Sequence, residues 1–165
     1  MTPVRRWLLF ALLLLAAAAF IAITSQSLPD IVASHFSGSG QAHGYMLRRT
    51  YIIFMGVVTL AVPFSIVVVQ ALMVRRPDRL KLRNRDYWLA PERREKTLEF
   101  LNVHAMRFAA MLLLFLCIVH WLLVKANAVQ PAHLDSRLFI TALAGFLVAM
   151  VVWLIALYLR FRGRG

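Results

Sequence analysis

Four long stretches without a charged residue constrain this chain more than any other feature. The clearest covers residues 51–74, which contain no Asp, Glu, Lys or Arg. A helix of that length crosses the roughly 30 Å of hydrocarbon in a bilayer. Residues 7–23, 108–124 and 138–159 are also free of these charges. We therefore predict an all-α integral membrane protein with four transmembrane helices, forming a single domain over residues 1–165.

The composition disfavours a soluble fold. The chain is 61% hydrophobic and contains only 7 Asp and Glu residues, so a soluble domain would leave much apolar surface in water. The first apolar run follows Arg5 and Arg6, as in a signal peptide. Because residues 7–23 exceed the apolar core of about 7 to 15 residues in such peptides, we expect a retained span.

The orientation is predicted from a basic segment at residues 75–103. Short loops rich in Lys and Arg stay cytoplasmic, and this segment holds nine of the 19 such residues by residue 96. The loops at 24–50 and 125–137 hold only four. We therefore predict that these two loops lie outside and that both termini are cytoplasmic.

The net charge of +12 has a membrane explanation, since no nucleic-acid motif accompanies it and we expect no nucleic-acid partner. Anionic lipid headgroups are the predicted partner of the basic segment. Six of its residues are assigned to headgroup contact, namely Arg75, Arg76, Arg79, Lys81, Arg83 and Arg85.

Three further features concern the helices themselves. Pro63 is predicted to kink the second span, because proline lacks the backbone N–H that a helix needs. Pro91 suits the first turn of a helix. On the fourth span, Thr141, Gly145 and Ala149 recur every four residues, a spacing that lets membrane helices approach closely.

The first outside loop carries a pattern of proline, histidine, aromatic and glycine residues. The residues of the pattern are Leu28, Pro29, Asp30, His35, Phe36, Gly40, Gly44 and Tyr45. This pattern resembles the signature of bacterial membrane domains found at the N-terminal end of SdpI-type proteins, which confer immunity to a secreted toxin. Residues 84–94 are similar to the cytoplasmic segment of short members, whereas Ala42 and His43 replace a Pro-Asp common in the family.

The resemblance implies a membrane domain of uncharacterised activity more strongly than it implies immunity, and it transfers no catalytic residue. From the residues themselves we expect this loop to be a compact folded cap. His35 and Phe36 are expected to turn toward the span ends, while the glycines form the reversal. Gly44 is the sensitive position of this reversal. If its φ is positive, alanine there would strain the turn.

Four histidines suggest an alternative function. His35, His43, His120 and His133 lie in or near the outside loops, and imidazole is a ligand of zinc and copper. Their spacing matches no known ligand motif, and His120 can be satisfied by headgroups or loop residues. A haem pair is not expected, because His104 and His120 lie about 24 Å apart along one helix.

The function predicted from the sequence is non-enzymatic, without a cofactor. Serines cluster near His35, but a glycine-serine loop explains them without a nucleophile, and no charged residue lies mid-span to support transport. We predict a multi-pass protein of the bacterial cytoplasmic membrane that recognises a membrane-protein or peptide partner through its first outside loop. The alternative is a metal-binding or redox accessory protein that uses the four histidines.

Overall fold

A computed structural model describes residues 2–80 and 82–162 of the chain, which are mostly helical. The elements are α1 (Pro3–Thr24), β1 (Ile31–Phe36), β2 (Ala42–Leu47), α2 (Arg48–Gly56), α3 (Val62–Val74), α4 (Arg85–Trp88), α5 (Pro91–Asn127) and α6 (Ser136–Arg162). A π-helical turn at Val57–Ala61 joins α2 to α3, and 3-10 turns occupy Ser25–Ser27 and Pro77–Arg79. We call the end of the bundle that carries β1 and β2 the hairpin end, and the opposite end the basic end.

Four helical segments are long and apolar enough to cross a membrane. They are Pro3–Ser27, Arg48–Val74, Pro91–Asn127 and Ser136–Arg162, and each contains one of the four predicted spans. The third segment begins well before residue 108, because Pro91 opens a helix that continues without a break to Asn127. The predicted basic loop at 75–103 is therefore a loop only in its first part.

The second span is continuous but not uniformly α-helical. Its π-helical turn, Val57–Ala61, lies directly before Pro63. Proline cannot donate to the carbonyl four residues earlier, which belongs to Thr59. A widened turn is one of the known ways in which a helix accommodates such a break. A π-helical turn therefore accompanies Pro63, while the predicted kink stays a prediction.

Helix α5 is the centre of the bundle, because α1, α3 and α6 all pack against it. Phe10 of α1, Val67 of α3 and Ala109 of α5 form a buried cluster. Ala109 is fully buried, and its small side chain allows the two neighbouring helices to approach α5 closely.

Helix α6 is peripheral, and none of its described residues is buried. Aromatic pairs attach it to α5, with ring centroids 4.6 Å apart for Phe115 and Phe146 and 4.4 Å apart for His104 and Trp153. A Cβ added at Gly145 would meet nothing within 4 Å. The small-residue spacing around Gly145 therefore forms no close helix contact in the described part of the chain.

The structure departs from an all-α architecture at residues 24–50. This segment contains a two-stranded antiparallel sheet, β1 and β2, and not an irregular loop. Each strand has six residues, which is an ordinary strand length. The glycines and serines between them supply the reversal, so the polar composition reflects the turn more than the strands.

Candidate functional site

The candidate site consists of the hairpin and the helix ends beneath it. The register of the two strands determines which main-chain groups face away from the opposite strand. The aligned pairs are Ile31 with Leu47, Val32 with Met46, and Ala33 with Tyr45. The Arg48 N–H donates to the Asp30 carbonyl at 2.9 Å. Hydrogen-bonded and non-hydrogen-bonded pairs alternate along antiparallel strands. Counting from Asp30 and Arg48, the main-chain groups of Ala33 and Tyr45 point away from the opposite strand.

Asn127 covers the outer edge of β1. Its Oδ1 accepts from the Ala33 N–H at 2.8 Å, and its Nδ2 donates to the Ala33 carbonyl at 3.0 Å. The same Nδ2 donates to the Leu123 carbonyl at 2.9 Å. The buried amide of Asn127 thus takes the place that a peptide group of a third strand would occupy. These contacts fix the hairpin to the end of α5.

The reversal between the strands depends on Gly40. Its φ is +88°, a conformation that side-chain-bearing residues rarely adopt. The Gly40 carbonyl accepts from the Leu134 N–H at 2.9 Å, and a Cβ at residue 40 would collide with the Leu134 backbone oxygen. The neighbouring Gln41 pairs with His133. The tip of the hairpin is therefore joined to the loop between α5 and α6.

Gly44 does not have the positive φ that we considered from the sequence. It lies opposite His35 in the hairpin. A Cβ added there would come within 2.9 Å of the His35 Cβ. Glycine at this position accommodates a close neighbour on the adjacent strand.

The Leu-Pro-Asp stretch anchors the start of the hairpin. Arg48 donates from Nη1 to the Leu28 carbonyl at 2.9 Å and lies 3.0 Å from Asp30 through Nη2. The ion pair is exposed, so its contribution to stability is small. Apolar burial contributes more, because the Leu28 side chain is buried in a cluster with Val32 and Tyr51.

The expectation for His35 and Phe36 holds for one of the two residues. Phe36 packs against a buried cluster formed by Leu122, Ala126 and Leu134. His35 is exposed. The register of the hairpin is irregular on both sides of His35, so simple alternation of side chains does not apply at this point of the strand.

His120 is fully buried beneath the hairpin and is hydrogen-bonded through both ring nitrogens. Thr24 donates to the Phe20 carbonyl at 2.6 Å, so its oxygen accepts from His120 Nε2–H at 2.8 Å. In that tautomer Nδ1 is an acceptor, and the Tyr51 hydroxyl donates to it at 2.9 Å. The three helices that supply these residues, α1, α2 and α5, are thereby connected by a neutral imidazole.

The four histidines of the metal alternative do not converge. The rings of His35 and His43 lie 6.4 Å apart, whereas His120 is bonded below the hairpin and His133 pairs with Gln41 through its backbone. Within residues 2–80 and 82–162, no group of three or more His, Cys, Asp or Glu side chains could hold a metal ion.

The outer edge of β2 differs from that of β1. The sheet has two strands, and the main-chain groups of Tyr45 point outward. The next outward position is Leu47, and both side chains are 60% exposed. Among the described residues, no strand or side-chain amide pairs with this edge in the way that Asn127 pairs with β1. The hairpin therefore has one covered edge and one open edge.

The basic end contains the residues assigned to headgroup contact. The side chains of Arg75, Arg76, Arg79, Arg83 and Arg85 are exposed, and Lys81 lies outside the described residues. Arg6 of α1 forms an ion pair with Glu99 of α5. The Arg160 guanidinium lies 5.1 Å from the centre of the Trp88 ring. The last two contacts connect the segments at the basic end.

Sequence reasoning missed Asn127, Arg48 and Thr24 as site residues. Asn127 follows a long apolar run, where a buried amide requires partners, and this was the one signal that could have found it. Its partner Ala33 is separated from it by 94 residues, so no local pattern indicates which strand it covers. Thr24 and Arg48 carry no distinctive pattern.

Comparison with known proteins gives a partial family match. Residues 12–60 match the model of a family described as a domain of unknown function, DUF1648. The matched part includes most of α1, the hairpin and α2. No curated protein and no solved structure matches the chain. The match and the four apolar helices together support an uncharacterised membrane-type domain, while the likeness to SdpI-type proteins stays a prediction.

Proposed function

We propose that this chain is a non-enzymatic multi-pass protein of the bacterial cytoplasmic membrane that binds an extended peptide segment of a partner along the open edge of β2. The observation that carries the proposal is the asymmetry of the hairpin. Asn127 covers the edge of β1, whereas β2 presents outward main-chain groups beside the exposed side chains of Tyr45 and Leu47.

Strand addition suits this geometry. An extended peptide that joins an open edge gains affinity from main-chain hydrogen bonds and specificity from its alternate side chains. Three anchors hold the hairpin, namely Asn127, the contact of Gly40 with Leu134, and Arg48. A preordered edge loses less conformational entropy on binding than a mobile loop would.

A photocrosslinking amino acid at position 47 tests this proposal in cells. The decisive variant is Tyr45→Pro. It removes no bond to β1, because the N–H of Tyr45 points away from that strand. Proline is also tolerated at a strand edge. We expect Tyr45→Pro to abolish the crosslink to the partner. Tyr45→Ala is the matched control for the side chain and should weaken it less.

Two results would contradict the proposal. An undiminished crosslink in Tyr45→Pro would exclude strand addition. Failure of positions 31, 45 and 47 to crosslink to any protein would exclude recognition by the hairpin altogether.

The proposed topology has the hairpin outside and both termini inside. The support is the charge distribution, with most Lys and Arg residues at the basic end. Cysteines introduced as Ser39→Cys and Ala132→Cys should react with an impermeant thiol reagent in intact cells, whereas Asn84→Cys should react only after lysis. Labelling of Asn84→Cys in intact cells, together with protection of Ser39→Cys, would show that the topology is the reverse of the one proposed.

A further inference from the structure

A cleft of about 460 Å³ lies nearer the basic end, between α3 and α6, with α5 as its floor. Its volume falls within the range of small-molecule sites, which is about 300–1,000 Å³. The residues that matter for its chemistry are Ser65, Val69, Gln70, His104, Phe108 and Trp153. Val69 is 53% exposed, so the cleft opens there onto the lipid-facing surface.

Two polar atoms of the cleft have no hydrogen-bond partner among the described residues. They are Nε2 of Gln70 and Nε2 of His104, and both atoms are buried. His104 as a whole is only 4% exposed. An unpaired buried polar atom is costly in apolar surroundings, because its hydrogen bond to water is lost without replacement. Both residues line the cleft, so a ligand that supplies hydrogen-bond acceptors would give both atoms a partner when His104 carries its proton on Nε2.

The aromatic side chains hold His104 in a fixed orientation. Its ring stacks on Trp153 at 4.4 Å and on Phe100 at 5.2 Å, with interplanar angles of 15° and 20°. The Trp153 Nε1–H donates to the His104 carbonyl at 2.9 Å. The indole and the imidazole are thus fixed relative to each other. Phe108 also packs against Trp153, at 4.8 Å, which extends the aromatic wall.

The charge and position of the cleft restrict the ligand further. None of its described lining residues is Asp, Glu, Lys or Arg, so the site suits an uncharged head group. Gln70 lies five residues before Arg75, or about 8 Å along the helix. In a spanning arrangement this depth is within the membrane, and a ligand would enter from the lipid.

We propose that this cleft binds a lipid-soluble quinone. A quinone head group is planar and uncharged, and it carries carbonyl oxygens on opposite edges of the ring. One oxygen accepts from the Gln70 amide on α3 and the other from Nε2–H of His104 on α5. The ring lies against the aromatic wall, and the isoprenoid tail leaves past Val69 into the lipid. Quinone binding here is independent of the function proposed for the hairpin.

The test uses the full chain in nanodiscs of a zwitterionic phospholipid, titrated with decylubiquinone, with the quenching of tryptophan fluorescence as the signal. We expect saturable quenching that Trp153→Phe largely removes. Gln70→Leu and His104→Phe should each weaken binding by about three- to tenfold, the effect of one hydrogen bond. Gln26→Leu, at an exposed glutamine of the hairpin end, is the matched control and should leave the affinity unchanged.

Several results would overturn the proposal. Quenching that rises linearly without saturation, or that is equal in all variants, would mean simple partitioning of the quinone into lipid. Displacement of the quinone by decyl acetate at a comparable mole fraction would mean that the cleft recognises a lipid ester. If His104→Phe fails to fold, Gln70→Leu at the rim of the cleft still decides between the outcomes.

Discussion

Replacing Gly40 by alanine should release the tip of the hairpin from the loop between α5 and α6. The φ of +88° at Gly40 costs a residue with a Cβ about 1–2 kcal/mol. The added Cβ would also collide with the Leu134 backbone oxygen, so the bond from the Leu134 N–H to Gly40 would be lost. That bond contributes about 0.5–1.5 kcal/mol.

The two effects together amount to about 1.5–3.5 kcal/mol, which is about a 13- to 370-fold increase in the equilibrium constant for opening of the tip. Hydrogen exchange followed by mass spectrometry in nanodiscs measures this equilibrium directly. We expect faster exchange in Gly40→Ala over residues 36–42 and at Leu134. The four long helices should exchange as before, because the perturbation is local.

Gly38→Ala is the matched control for Gly40→Ala. Gly38 belongs to the same reversal, its φ is not in the left-handed region, and a Cβ there would meet nothing within 4 Å. We expect its exchange to match that of the parent. Equal exchange in the two alanine variants would show that the contact between Gly40 and Leu134 does not hold the hairpin, and would refute the reasoning.

Two further predictions concern the polar groups beneath the hairpin. Asn127→Ala should speed hydrogen exchange of the Ala33 amide by about tenfold or more. The substitution leaves the buried N–H and carbonyl of Ala33 unpaired, which costs about 1–3 kcal/mol of stability. Unchanged exchange would mean that the Asn127 amide does not hold β1. Tyr51→Phe keeps the ring but removes the donor to His120, so the thermal unfolding midpoint in detergent should fall, while Tyr45→Phe, at an exposed hydroxyl, should leave it within error. Equal midpoints in both would exclude a structural role for the Tyr51 hydroxyl.

The apolar helices were predictable from the sequence because hydrocarbon imposes a simple requirement. A chain that crosses it must satisfy every backbone group internally over about 20 residues. Long runs without charge therefore indicated these helices directly. Their full lengths were less predictable. The start of α5 at Pro91 was indicated by the sequence and is confirmed, but the run without charge marks only residues 108–124 of this helix, because helix formation extends beyond the hydrocarbon and does not depend on apolar residues alone.

The hairpin was missed because its strands are short and their pattern is incomplete. β1 places buried Val32 and Ala33 side by side, which interrupts the alternation of a half-buried strand. The reason lies outside the strand, because the side-chain amide of Asn127 covers the main chain of Ala33 at the outer edge of β1. A contact between residues so far apart in sequence leaves no local signal. The glycines in between were a stronger signal, and they indicated only a reversal.

The two buried histidines of α5 show why the site had to be located from geometry. His104 and His120 lie sixteen residues apart on one helix, and both are almost fully buried. Both nitrogens of His120 are bonded to neighbouring spans, through Thr24 and Tyr51, so its role is to connect those spans. His104 has an Nε2 without a partner among the described residues.

Opposite consequences follow for the same substitution at these two positions. His120→Phe removes two hydrogen bonds and leaves the Tyr51 hydroxyl buried without its acceptor, so it should lower the unfolding midpoint. His104→Phe removes an unpaired polar atom and keeps the aromatic stacking, so its midpoint should stay the same or rise. A midpoint that falls equally in both variants would mean that His104 is bonded within the folded chain, and the cleft beside it would then lack the donor that a ligand requires.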